Sequence, residues 1–228
     1  MTVRPALLAA VVFVAGALLS GCGDDDLSSG PQTTAEAGEL PILVVTDFPS
    51  ELKVVPNEGA DNEPVPTADP AECAAVNDEV EKLDAQSESI KMQSDDDKVT
   101  VEFTVGEFKP GAFSLDEFTQ TLDRCSTMTL TDAEGTGKVT LTPHDLSLSG
   151  ADGVARQVAI DVTSGTDQAY LAGYIVYATV GDYVIHGALN ETAAGPIPAD
   201  RAAGEGIPFT KEFWDLVNLQ VDRAKGTG

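Results

Sequence analysis

"YLAGYIVYATVGDYVIHGAL", residues 170–189, consists of two apolar runs rich in tyrosine, valine and isoleucine, hinged on Gly181-Asp182. Aromatic and β-branched side chains suit a pleated, half-buried surface, and a two-residue loop with glycine first suits a type II′ turn between antiparallel strands. The loop length sets the pairing. Val180 faces Tyr183, Ala178 faces Ile185 and Val176 faces Gly187 on one side, while Thr179/Val184, Tyr177/His186 and Ile175/Ala188 share the other. The first set is the more uniformly apolar and reads as core.

Outward from this hairpin, "VTVEFTV" (99–105) puts Val99, Val101, Phe103 and Val105 on one face and Thr100, Glu102 and Thr104 on the other, the alternation of a half-buried strand. Further strands are expected over residues 138–142 and 154–163. Three segments have helical spacing. In "ADPAECAAVNDEVEKL" (68–83) Asp69 can cap, Pro70 fits the first turn, Glu72 completes a capping box, and Cys73, Val76, Val80 and Leu83 share one face. In "FSLDEFTQTLDRC" (113–125) Ser114 and Glu117 form the same cap, and Leu115, Phe118, Leu122 and Cys125 make a stripe. From Thr210 a last helix lines up Phe213, Val217, Val221 and Ala224, flanked by Trp214. Between residues 56 and 70 the polar stretch "PNEGADNEPVPTADP" reads as a long surface loop. Hairpin-joined strands with helices before and after predict a single α+β domain: a hairpin-rich antiparallel sheet with helices packed on one face.

The start of the chain has another character. Arg4 precedes an apolar run over residues 6–19 that ends in Ser20 and Gly21. That run is shorter than the roughly 20 residues a transmembrane helix needs and has the build of an export signal. Leu19-Ser20-Gly21-Cys22 matches the bacterial lipobox, in which cleavage precedes a lipid-modified cysteine. Residues 1–21 are therefore expected to be a lipoprotein signal peptide, Cys22 the lipidation site, 22–39 a polar tether, and 40–226 the folded domain. Diacylglyceryl and palmitate chains on Cys22 would hold the protein to the extracytoplasmic face of the cell membrane, since lasting anchorage takes two lipid signals.

With 13 Lys and Arg against 38 Asp and Glu, the formal net charge is −25. No basic cluster interrupts it, which sets nucleic acid aside as a partner, and the charge serves solubility. Cys73 and Cys125 are the cysteines left after Cys22. In an exported chain they are expected either to form a disulfide between the first two helices or to remain as buried thiols. Closing a loop of about 50 residues would stabilise by roughly 4 kcal/mol on the chain-entropy account.

The lipobox, the Asp-Pro-x-x-Cys of Asp69, Pro70 and Cys73, the Asp-Arg-Cys of Asp123, Arg124 and Cys125, and Gln220-Val221 in the closing helix together resemble actinobacterial lipoproteins similar to the PknH-like extracellular sensor domain. The resemblance implies an α+β fold with a groove proposed to bind a ligand, commonly stapled by two disulfides. This chain has the cysteines for one.

The chain has two histidines, His144 and His186. Neither lies in a zinc-ligand, nucleophile-elbow or phosphate-loop motif, and the aspartate runs at 24–26 and 95–97 lack the spacing of a calcium loop, so no metal or cofactor is expected. His144 follows Pro143 where the alternation slips and reads as a kink or bulge residue. Tyr177 and His186, opposite each other beside Ile175 and Ala188, have the apolar bodies and polar tips that ligand grooves use. The alternative is a helix-covered face. Arg156 shares parity with Val154, Val158, Ile160 and Val162, so it either sits at the sheet's rim or meets an anion or carboxylate. The rim is expected. Tyr177, His186, Ile175 and Arg156 are thus the candidate ligand-binding residues of a non-catalytic, membrane-anchored binding or sensor-like module. It would take a small apolar or amphipathic ligand or an envelope partner. A hydrolase using His186 and a purely structural envelope lipoprotein are the alternatives.

Overall fold

The computed structural model describes residues 40–55, 66–74, 87–108, 113–133 and 135–226. Cys22, the leader and the tether lie outside the described residues.

Among the described residues nine strands form one sheet, with every neighbouring pair antiparallel. In chain order they are β1 (Leu52–Val54), β2 (Thr67–Asp69), β3 (Ser87–Ser94), β4 (Val99–Glu107), β5 (Thr127–Thr131), β6 (Thr136–His144), β7 (Asp152–Ser164), β8 (Asp167–Val180) and β9 (Tyr183–Ala194). Across the sheet the order is β1-β3-β4-β9-β8-β7-β6-β5-β2. The hairpin that decides the fold is therefore central. Its register is the expected one, with Val180 paired to Tyr183, Tyr177 to His186 and Ile175 to Ala188. Gly181 takes φ 57°, a left-handed value that favours glycine.

Among the described residues three α-helices accompany the sheet: α1 (Leu115–Arg124), α2 (Ala199–Ala202) and α3 (Thr210–Gly226). Ser114 caps α1 as expected, its hydroxyl accepting from the Glu117 amide at 3.3 Å, and Phe118, Leu122 and Cys125 are buried. α3 buries Phe213, Val217, Val221 and Ala224, together with Leu216 and Gln220.

The helices do not share one face. α1 packs on the side of Tyr177, Ile175 and Val158, whereas α3 packs on the side of Phe103, Val105, Ala178 and Ile185. The reason is in the hairpin itself. Both of its faces are apolar enough to need a partner, and one helix stripe can answer only one of them.

The first expected helix differs too. Thr67, Ala68 and Asp69 pair with Thr131, Leu130 and Thr129 as the edge strand β2, so Asp69 ends a strand instead of capping a helix. Ladder hydrogen bonds to β5 outweigh a single cap, and Pro70, with no N–H, ends the pairing. Residues Ala71–Ala74 form one 3-10 turn, and the rest of that expected helix lies outside the described residues, as does most of the 56–70 loop. Cys73, in this turn, is bonded to Cys125 at the end of α1. The staple joins a turn to a helix. His144 is no bulge: β6 stays paired through Pro143 and His144, and the imidazole stacks on Trp214 of α3 with centroids 4.9 Å apart.

At the other end of the domain Gln220 is fully buried. Its amide donates to the Pro41 carbonyl at 2.5 Å and accepts from the Leu43 amide at 2.9 Å, and Arg223 donates to the Ile42 carbonyl at 2.8 Å. Segment 40–43 is thereby strapped to α3. Replacing Gln220 by alanine would leave two interior backbone groups unpaired, so Gln220→Ala is expected to lower the unfolding free energy by about 2–4 kcal/mol in chemical denaturation. A loss under about 1 kcal/mol would mean the strap is held by something else.

Candidate functional site

Side chains on the α1 face line up in rows that cross the sheet. One row runs Val154, Tyr177, His186, Thr104, Ser89 from β7 through β8, β9 and β4 to β3. The next runs Arg156, Ile175, Ala188, Glu102, Lys91, and a third runs Val158, Gly173, Asn190, Thr100, Gln93. In each row the β7 and β8 side is largely apolar and the β3 and β4 side polar.

All four sequence-derived candidates lie on this face, and the structure brings them together. It does not leave them open. Tyr177 is 1% exposed and His186 7%, while Ile175 and Arg156 are also buried. Of the two readings, open groove or helix-covered face, the structure has the covered one at Tyr177: the Phe118 ring of α1 meets Tyr177 edge-on at 4.6 Å, and Tyr177 in turn lies 4.7 Å from the His186 ring. Arg156 is not at the rim. Its guanidinium donates to Asp123 of α1 at 2.6 Å and to the Ala155 carbonyl at 2.9 Å, so its charge is met by a helix carboxylate and holds α1 in place.

Beside the tyrosine sits a cluster that the periodicity reading passed over. Glu102, Thr104 and Asn190 are 5%, 4% and 3% exposed, and three atoms of the neighbourhood, Glu102 Oε1, His186 Nε2 and Asn190 Oδ1, are buried without a hydrogen-bond partner. Such atoms are rare in folded proteins, and three on adjacent strands rarer still. Thr104 is served by a 3.0 Å hydrogen bond with Ser89. Lys91 stands directly across from Glu102 in the β3–β4 ladder but forms no ion pair with it. The signal was in "VTVEFTV", whose polar face was read as outward when it is interior.

Burial governs the ionisation here. It lifts the Glu102 carboxyl to about 7, the Lys91 charge offsetting this only in part. The same desolvation lowers His186 to about 4, leaving a neutral imidazole at physiological pH. The Tyr177 hydroxyl is pushed up by burial and then by the Glu102 charge. Such a site can accept hydrogen bonds and take up positive charge. Among the described residues no group of three or more His, Cys, Asp or Glu side chains could hold a metal ion, and no described helix is long and apolar enough to cross a membrane. A shallow surface depression at Gly150, Ala151, Asp152, Thr179 and Gly181 lies at the hairpin's tip, away from this cluster.

No protein-family model matches the chain, and no curated protein does. Among solved structures it is similar to the extracellular domain of PknH from Mycobacterium tuberculosis, with 12% identity, a TM-score of 0.49, and coverage of 82% of this chain and 93% of that one. It is also similar to an uncharacterised Mycobacterium smegmatis protein, the Rv0999 ortholog, at 14% identity and a TM-score of 0.45, covering 79% of this chain and 92% of that one.

Two measurements follow. Because Tyr177 is core, Tyr177→Ala is expected to cost about 3–5 kcal/mol of stability in denaturant titrations, whereas a loss within about 0.5 kcal/mol would restore the open groove. For Glu102, the native state keeps a proton that the unfolded carboxyl, near 4.5, gives up, so its contribution is fully present below pH 4.5 and is lost as pH rises to about 7. His186 acts oppositely, being protonated only in the unfolded chain between pH 4 and 6.5, so its contribution grows with pH across that window. The unfolding free energy of the wild type minus that of Glu102→Gln should therefore fall by up to about 1.4 kcal/mol per pH unit between those limits. A pH-independent difference would show that Glu102 ionises freely in the fold.

Proposed function

We propose that this protein is an extracytoplasmic, non-catalytic binding module held to the cell membrane by lipid on Cys22. The Cys73–Cys125 bond carries the reading. Disulfides form and persist in oxidising compartments, and a leader ending in Leu19-Ser20-Gly21-Cys22 supplies both the route there and the anchor. The ligand is a small molecule taken up by the domain, with an envelope protein as the other class of partner. Against the hydrolase alternative stands the position of His186. Its Nε2 meets no hydroxyl that it could activate, and the imidazole is buried with its proton affinity reduced.

Anchorage is tested in cells expressing Cys22→Ala. The variant should be released to the medium or accumulate as an uncleaved precursor. Mature Cys22→Ala protein that still partitions with membranes, cut at the usual place, would overturn the anchor.

A further inference from the structure

The large apolar side chains that stay exposed are not scattered. Among the described residues they are Val44, Val45, Val54 and Leu219, each between 38% and 53% exposed. The three valines belong to residues 40–54, where the chain enters the domain, and Leu219 to α3, the helix to which that segment is strapped. The strap fixes how they are presented. Gln220 holds Pro41 and Leu43, Arg223 holds Ile42, and Asp47 accepts from the Val44 amide at 2.7 Å while pairing with Arg223 at 2.7 Å. Val44 and Val45 therefore sit in a turn gripped by Gln220 and Arg223, and Leu219 is next to the first of these on α3 and one helical turn before the second. An exposed apolar residue standing singly needs no explanation, whereas a fixed group of them marks an interaction surface.

Charge singles out the same surface. Residues 40–54 and α3 together carry four basic and five acidic side chains, a net of −1, in a chain whose total is −25. Besides the Asp47 pair, Lys211 meets Asp215 at 2.5 Å and Lys225 meets Asp222 at 3.0 Å. The rest of the chain carries nearly all the negative charge, and an anionic surface repels it. What covers the near-neutral apolar group follows from the anchor. Residues 23–39 separate Cys22 from Leu40, a span of at most about 60 Å even fully extended, so a bilayer holding Cys22 stays within reach at high effective concentration. Residues 40–54 are the first part of the domain on that path.

We propose that Val44, Val45 and Leu219, with Val54 beside them on the edge strand β1, seat the domain on the lipid surface that holds Cys22. α3 then faces the membrane and α1, on the opposite face of the sheet, faces outward. The contact is interfacial: apolar side chains enter the boundary between headgroups and acyl chains while the helix lies on the surface. This inference rests on the reading of Cys22 as a lipid anchor and adds the orientation in which the anchored domain is held.

The test uses the full-length lipoprotein, purified in detergent from its own membranes and reconstituted into phosphatidylcholine vesicles carrying a headgroup nitroxide lipid. An environment-sensitive fluorophore is attached through Val45→Cys or, as the control on the exposed side of α1, through Gln120→Cys. The Val45 label is expected to shift to the blue and to be quenched at least about fivefold more than the Gln120 label, and adding Val44→Glu with Leu219→Glu should abolish the difference. These positions are exposed, so the substitutions leave folding intact, which circular dichroism checks. Equal quenching at the two labels would show that no face is preferred and overturn the docking. A blue shift at Val45 without nitroxide quenching would mean that a protein, such as a second copy, covers the group, and would overturn it too. Flotation of the same vesicles reads the anchor separately. Protein that floats with a water-exposed Val45 label keeps the anchor and loses the docking, whereas unlipidated protein left in the lipid-free fraction removes both.

Discussion

The register set at Gly181-Asp182 governs everything built around it. β8 and β9 are the central strands, so the parity of this one turn decides which side chains meet α1 and which meet α3. A slip of one residue would turn Val176, Ala178 and Ile185 toward α1 and drive Tyr177 and His186 against α3. Gly187 makes the same point from within the strand. A Cβ there would come within 2.9 Å of both the Phe103 ring and Val176, so the missing side chain admits Phe103, which goes on to pack against Phe213 of α3 at 5.7 Å. The contact between the sheet and its longest helix passes through the space a glycine leaves.

α1 owes its position to tertiary contacts. At ten residues it is shorter than the roughly 12–15 at which an isolated helix becomes even marginally stable. It is held on three sides by different physics: the Phe118 ring on Tyr177, the Asp123 carboxylate on Arg156, and Cys125 bonded to the turn at Cys73. The ion pair is unequal, since the Arg156 side chain is 6% exposed and that of Asp123 59%. The arginine bears most of the desolvation and is helped by its second bond, to the Ala155 carbonyl. The staple adds a constraint that neither packing nor charge supplies, by limiting the unfolded chain.

Where a signal was local, the sequence was legible. The Gly181-Asp182 turn, the Ser114 cap, the stripe of α3 and the partnership of Cys73 with Cys125 could be read because each depends on neighbours in the chain or on compartment chemistry. What escaped was set by partners far away. Asp69 looked like a helix cap but is claimed by Thr129 of β5, some sixty residues on, and His144 looked like a bulge but is claimed by Trp214. Tyr177 and His186 were placed on the right face with their exposure left open, because alternation tells which residues share a side and says nothing about what lies over it. Glu102 was missed for the same reason, a carboxylate in an alternating strand being outward by default.

That default is what gives the cluster its meaning. α1 reaches β7 and β8, and its apolar stripe answers Val154, Val158 and Ile175 there. Farther along the same rows, where the chain could have continued with valine or leucine, it places Glu102, His186 and Asn190 and leaves one polar atom of each without a partner. Each such atom costs stability of order 1–3 kcal/mol, and more for the carboxylate. Local choices that conflict with a stable core are expected in proteins chiefly where function demands them. The ordering of the rows makes the conflict specific: the apolar half is consistent with its helix down to the hydrogen bonds of Arg156, and the inconsistency is confined to the acceptors that flank Ala188.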